Sequence, residues 1–133
     1  MDNNSSDETA KTLVEQLDGR SFVTTGNAEG LSTAATTFQY SSDGATVTGG
    51  YKGGHISVGQ IAGKSTSPDT IELLFQCLTT DGQLLSGQSS GRIARNRDGL
   101  LTIDFNWSWL TGDRSGGTSH YIEVTGNEAG NMP

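Results

Sequence analysis

The stretch Leu101-Thr102-Ile103-Asp104-Phe105-Asn106-Trp107-Ser108-Trp109 decides the architecture. A large apolar side chain stands at every second position, with polar residues between. Successive side chains of a strand point to opposite faces of a sheet, so this period of two marks a strand with one face buried. A slip of one residue would exchange the two sets, and the register is therefore strongly specified. The same period holds upstream, where Ile71, Leu73, Phe75 and Cys77 share a face opposite Glu72, Leu74 and Gln76. Between these two strands, Gly87, Ser89 and Gly91 alternate, so one wall is small where the others carry rings.

Working outward, each periodic segment ends at a turn signal. Ser42-Asp43-Gly44, Gly53-Gly54, Thr80-Asp81-Gly82 and Asn96-Arg97-Asp98-Gly99 are tight connections, and 112–117 is a further turn. They delimit strands over 20–25, 36–40, 45–51, 56–63, 70–79, 83–92, 100–110 and 118–124, with 93–95 leading into the third hairpin. The pattern predicts an all-β fold, a single eight-stranded antiparallel up-and-down barrel of the calycin or lipocalin type, whose interior holds one small ligand. A two-sheet sandwich with Greek-key crossings has the same periodicity; the short connections favour the barrel.

Residues 1–18 read as a polar extension with a short helix. Ser5-Ser6-Asp7-Glu8 has the spacing of a capping box, Leu13, Val14 and Leu17 share a helical face, and Gly19 is a terminator. That apolar stripe is expected to cover one end of the barrel. The barrel domain is expected over 19–125, followed by a polar, disordered tail at 126–133.

Composition agrees with this reading. The 133 residues make one domain, and 19 glycines with only 2 prolines suit strands joined by tight turns. Fifteen acidic against 8 basic residues leave a net charge of −7, which repels phosphate backbones and argues against nucleic acid. The basic residues form no run that would hold an anionic membrane. Cys77 is the single cysteine, which excludes an intramolecular disulfide and a cysteine-based metal site. Met1–Ser6 lacks the apolar core of a signal peptide, and no stretch nears the roughly 20 apolar residues of a membrane span. The expected location is the cytoplasm; a homodimer is left open.

No catalytic motif is present. His55 and His120 have no metal-ligand spacing, and neither metal nor cofactor is expected. The 112–117 turn joins two strands instead of opening a helix, so Asp113 reads as a turn cap and not a phosphate contact. Cys77 behaves as a small inward hydrophobe. Trp107, Trp109, Phe105, Phe75 and Tyr51 are the expected ligand contacts, or simply the core, since a small barrel uses one space for both. Gln60, Tyr121 or Glu123 would add polar contacts.

Glu123 alternates with Tyr121 and Ser119. Facing inward among aromatics, it would have a raised pKa suited to proton transfer. With the opposite parity, His120 would inherit that role. The leading expectation is binding of a small, largely apolar molecule. The alternative is a cofactor-free cyclase or isomerase acting through Glu123 or His120.

Several segments also carry a resemblance. Tyr51-Lys52-Gly53-Gly54-His55-Ile56-Ser57-Val58-Gly59-Gln60-Ile61-Ala62-Gly63, then Phe75-Gln76 through Asp81-Gly82 to Gly87, Trp107-x-Trp109 and Gly112-Asp113-x-Ser115-x-Gly117 are similar in order and spacing to a family of small bacterial calycin-like barrels. That family often bears the label N-acetylglutamate synthase. The resemblance covers about residues 19 to 125 and implies the barrel fold. Through its label it implies a third function, acetyl transfer from acetyl-CoA, although no internal helix is predicted that could cradle the cofactor's pyrophosphate. It marks Tyr51, Gln60, Phe75, Trp107, Trp109 and Asp113 without assigning roles. Cys77 stands where that family has a polar residue or histidine. A more distant similarity to avidin-type barrels lies in the Trp-rich late strands.

Overall fold

The computed structural model describes residues 11–27, 35–112 and 114–124. Within them lie eight strands: β1 (Ser21–Asn27), β2 (Thr37–Asp43), β3 (Thr46–Gly53), β4 (Ile56–Ser67), β5 (Thr70–Thr79), β6 (Leu84–Arg95), β7 (Leu101–Trp109) and β8 (Gly116–Val124). Each pairs with the next, and β8 returns to β1, closing the barrel. All eight ladders are antiparallel. The sequential order rules out the Greek-key sandwich, and closure leaves no free sheet edge. No helix among the described residues is long and apolar enough to cross a membrane.

The turn chemistry explains the hairpins. Gly82 has φ +90°, a left-handed conformation that other residues reach only with strain, and it closes the Thr79–Gln83 turn. Of the expected N-terminal helix, the described residues show one 3-10 turn at Glu15–Leu17. A capping box stands at Thr12–Glu15. Glu15 N–H donates to Thr12 Oγ1 at 3.1 Å and Thr12 N–H to Glu15 Oε1 at 2.9 Å, the reciprocal pair of a T-x-x-E box. Ser5–Glu8, the expected box, lies outside the described residues.

This turn closes one pole. Val14 and Leu17 are fully buried, Val14 N–H bonds Pro68 O, and Ser42 Oγ bonds Glu15 O. The β2–β3, β4–β5 and β6–β7 turns gather at the same end. Beneath the turn lies a dense aliphatic layer of Val47, Ile71, Ile93, Leu101 and Ile103 with Phe22, each at most 1% exposed. The interior of the opposite half is aromatic. Both halves bury large apolar side chains, and the aromatic half is where space remains.

Candidate functional site

The aromatic half encloses a cavity of about 60 Å³ that opens toward the β3–β4, β5–β6 and β7–β8 connections. Its wall draws on seven strands, β2 to β8, each contributing one to three inward-facing side chains. Phe38 stacks on Tyr51 at 4.9 Å, and Tyr121 meets both Phe38 and Phe105 edge to face. Trp109 packs edge to face against Phe75 and Trp107 and is only half-buried. Such edge and offset contacts hold rings in defined orientations.

Glycines make the wall possible. Tyr51 lies opposite Gly59, Phe75 opposite Gly87, and Phe105 opposite Gly91 in the ladders. A Cβ at any of these glycines would fall closer than 3.0 Å to the facing ring. Each ring lies over the bare backbone of the next strand, so large residues fit without filling the centre.

The polar groups of the wall are few. Trp107 Nε1 donates to Ser119 Oγ at 2.9 Å, and Tyr51 Oη donates to Gln76 O at 3.3 Å. Burial pushes the Tyr51 and Tyr40 phenols well above their ordinary range, helped by neighbouring Cys77 at Tyr51 and by Tyr121 at Tyr40. Burial also pushes the Cys77 thiol up, partly countered by Tyr51. These groups are therefore uncharged near neutrality. Among the described residues the wall contains no carboxylate, amine, guanidinium or imidazole.

The structure brings Tyr51, Phe75, Phe105, Trp107, Trp109 and Tyr121 together on this wall. It does not bring Gln60 there. A bulge between Ile56 and Val58 shifts the parity of β4, so Ile56, Gly59 and Ile61 face in while Gln60 is exposed and bonded to Gln76. Glu123 faces inward with Ser119 and Tyr121, but at the closed pole. There it accepts from Arg20 Nη1 at 2.6 Å and from Leu101 N–H at 2.7 Å. His120 is on the outer face, paired with Asp104. Asp113 lies outside the described residues.

Sequence reasoning missed Phe38, Tyr40 and Ser119 as wall residues and read Ser89 only as small. The signal for the first two was available in the alternation Phe38-Gln39-Tyr40, within a segment correctly read as a strand. Ser119 carried the same parity as Tyr121. Among the described residues no cluster of His, Cys, Asp or Glu could hold a metal.

The sequence pattern of the family described as avidin-like protein matches residues 15–124. No curated protein matches in sequence. Among solved structures, apo shwanavidin in its P21 form is 14% identical with a TM-score of 0.59, over 81% of this chain and 96% of that one. The biotin binding protein from chicken is 17% identical with a TM-score of 0.59, over 86% of this chain and 100% of that one. At these identities the likeness is one of fold.

Proposed function

The chain belongs to the avidin-like protein family, and from that premise we propose that it binds a small, largely apolar molecule in the aromatic half of its barrel. The observation that supports this most is the contrast between the two halves, a floor packed without space and an open end walled by rings. A protein that needed only a core would pack both alike.

The cavity of about 60 Å³ is well below the roughly 300–1,000 Å³ of sites for drug-sized ligands. Binding therefore includes displacement of a ring, and the half-buried pair Trp109 and Phe75 is placed to move. Native mass spectrometry of the purified protein, before and after denaturation, tests for a retained ligand. Titration with N-phenyl-1-naphthylamine while following tryptophan emission tests for the site itself. Quenching is expected, since Trp107 and Trp109 form the wall; no retained mass and no quenching would overturn the reading. Biotin, the ligand in the chicken relative's name, belongs in the same titration.

Neither Glu123 nor His120 reaches the cavity, so no observation favours a cyclase or isomerase. A homodimer and a cytoplasmic location are part of the proposal. Leu74 is 58% exposed on the outer face of β5 beside Gln60, Ala62, Gln76 and Gln88, and the nearest charges, Glu72 and Lys64, lie opposite each other in the ladder and offset one another, so a second copy can meet this surface. Leu74→Lys is expected to lower the mass found by light scattering to that of one chain, and an unchanged mass would count against this face.

A further inference from the structure

Two hydroxyls on the cavity wall have no role in holding the barrel together. Tyr40 lies on β2 and Ser89 on β6, four strands apart in either direction around the closed barrel, so they stand on opposite walls. Both are buried, at 3% and 9% exposure. Among the described residues neither hydroxyl has a hydrogen-bond partner. No buried side-chain oxygen is sealed off without a partner, so both open onto the cavity space. The remaining polar groups are engaged: Tyr51 with Gln76, Trp107 with Ser119, and Ser119 and Tyr121 with further partners. A hydroxyl that faces a cavity and has no protein partner is free to bond whatever fills that cavity, so the pair marks where a ligand would be held.

The charge pattern narrows the chemistry further. Among the described residues no charged side chain lines the cavity. Glu123, the one interior carboxylate among the described residues, is held by Arg20 and the Leu101 amide at the other pole. A ligand carboxylate or ammonium seated here would lose its hydration and meet no counter-charge.

Resting on the binding function proposed above, we infer that the cavity selects an uncharged, flat ring with a hydrogen-bonding group at each of two opposite edges, bridging Tyr40 Oη and Ser89 Oγ. The aromatic wall takes the faces and edges of the ring, and the two hydroxyls fix its direction.

Three single-ring probes of one shape test this by calorimetry on the full chain: p-xylene, benzene-1,4-diol and 4-methylbenzoate. Tyr40→Phe and Ser89→Ala are each expected to weaken binding of the diol about five- to tenfold, the usual worth of one hydrogen bond, and to leave p-xylene within twofold. The carboxylate is expected to bind at least tenfold more weakly than the diol. Diol affinity unmoved by both substitutions, no diol binding at all, or a carboxylate bound as tightly as the diol would overturn the inference. If p-xylene binds while the diol does not depend on either hydroxyl, the inference fails and the apolar site stands. If none of the three binds and no mass is retained, the binding function fails with it.

Discussion

Phe75 and Gly87 face each other across β5 and β6, and the ring occupies the volume that a side chain at 87 would need. The pair shows how this barrel holds rings without filling its centre. Gly87→Ala is expected to cost about 1–3 kcal/mol through overpacking. Urea unfolding would show it as a lower midpoint with an unchanged slope. Phe75→Leu in the Gly87→Ala background should recover part of the loss. If the two changes simply add, the contact is not the cause.

The ion pair at the closed pole is structural. Arg20→Met is expected to destabilise by about 2 kcal/mol, less than for a fully buried pair because the Arg20 side chain is 34% exposed. Glu123→Gln keeps an acceptor for the Leu101 amide and should cost less. Neither change should move ligand affinity more than twofold, since neither residue reaches the cavity. A large change in affinity would tie the pole to the site.

Stability should fall in alkali. Burial raises the Cys77, Tyr51 and Tyr40 groups above their ordinary values. As pH rises through the ordinary thiol range near about 8.5 and the phenol range near about 10, the unfolded chain releases protons that the native protein keeps. The unfolded state then binds fewer protons, so the unfolding free energy declines with pH. Chemical denaturation at pH 7, 9 and 10.5 should show a progressive loss, and a flat profile would contradict these assignments. Cys77 should also react with maleimide far more slowly in the native protein than in urea.

The closed pole depends on Leu17. It is wholly buried, and Leu17→Ala is expected to cost about 3 kcal/mol by leaving a cavity beneath the 3-10 turn. Thr12→Ala removes one arm of the capping pair and should cost about 1 kcal/mol. Equal effects of the two substitutions in thermal unfolding would mean that the turn is not a plug.

The fold was legible because the strands are two-faced. Leu101 to Trp109 could turn only one face to the core, and Asp-Gly and Gly-Gly turns separated the hairpins. The site was legible where parity was unbroken, as for Phe75, Phe105, Trp107 and Tyr121. It was not legible at Gln60, because the bulge after Ile56 reverses parity without any glycine or proline at the bulged residues to announce it. The alternation of Glu123 with Tyr121 put the two on one face and left open whether that face or the one carrying His120 points inward. The height of Glu123 in the barrel was not legible either, because height depends on the stagger between strands, which no single strand contains. The Thr12–Glu15 box carried the same T/S-x-x-E signature as Ser5–Glu8, and sequence reasoning missed it.

Ser21 lies opposite Val124 where β1 meets β8, at the pole covered by the 3-10 turn. The chain thus enters and leaves the barrel by the same door, through adjacent strands, and the mouth lies at the far end. A tether, tag or partner domain joined at either position hangs beneath the floor and leaves the opening unobstructed. The same adjacency means that linking these two points and cutting the chain in a mouth turn would reorder the strands while preserving every neighbour.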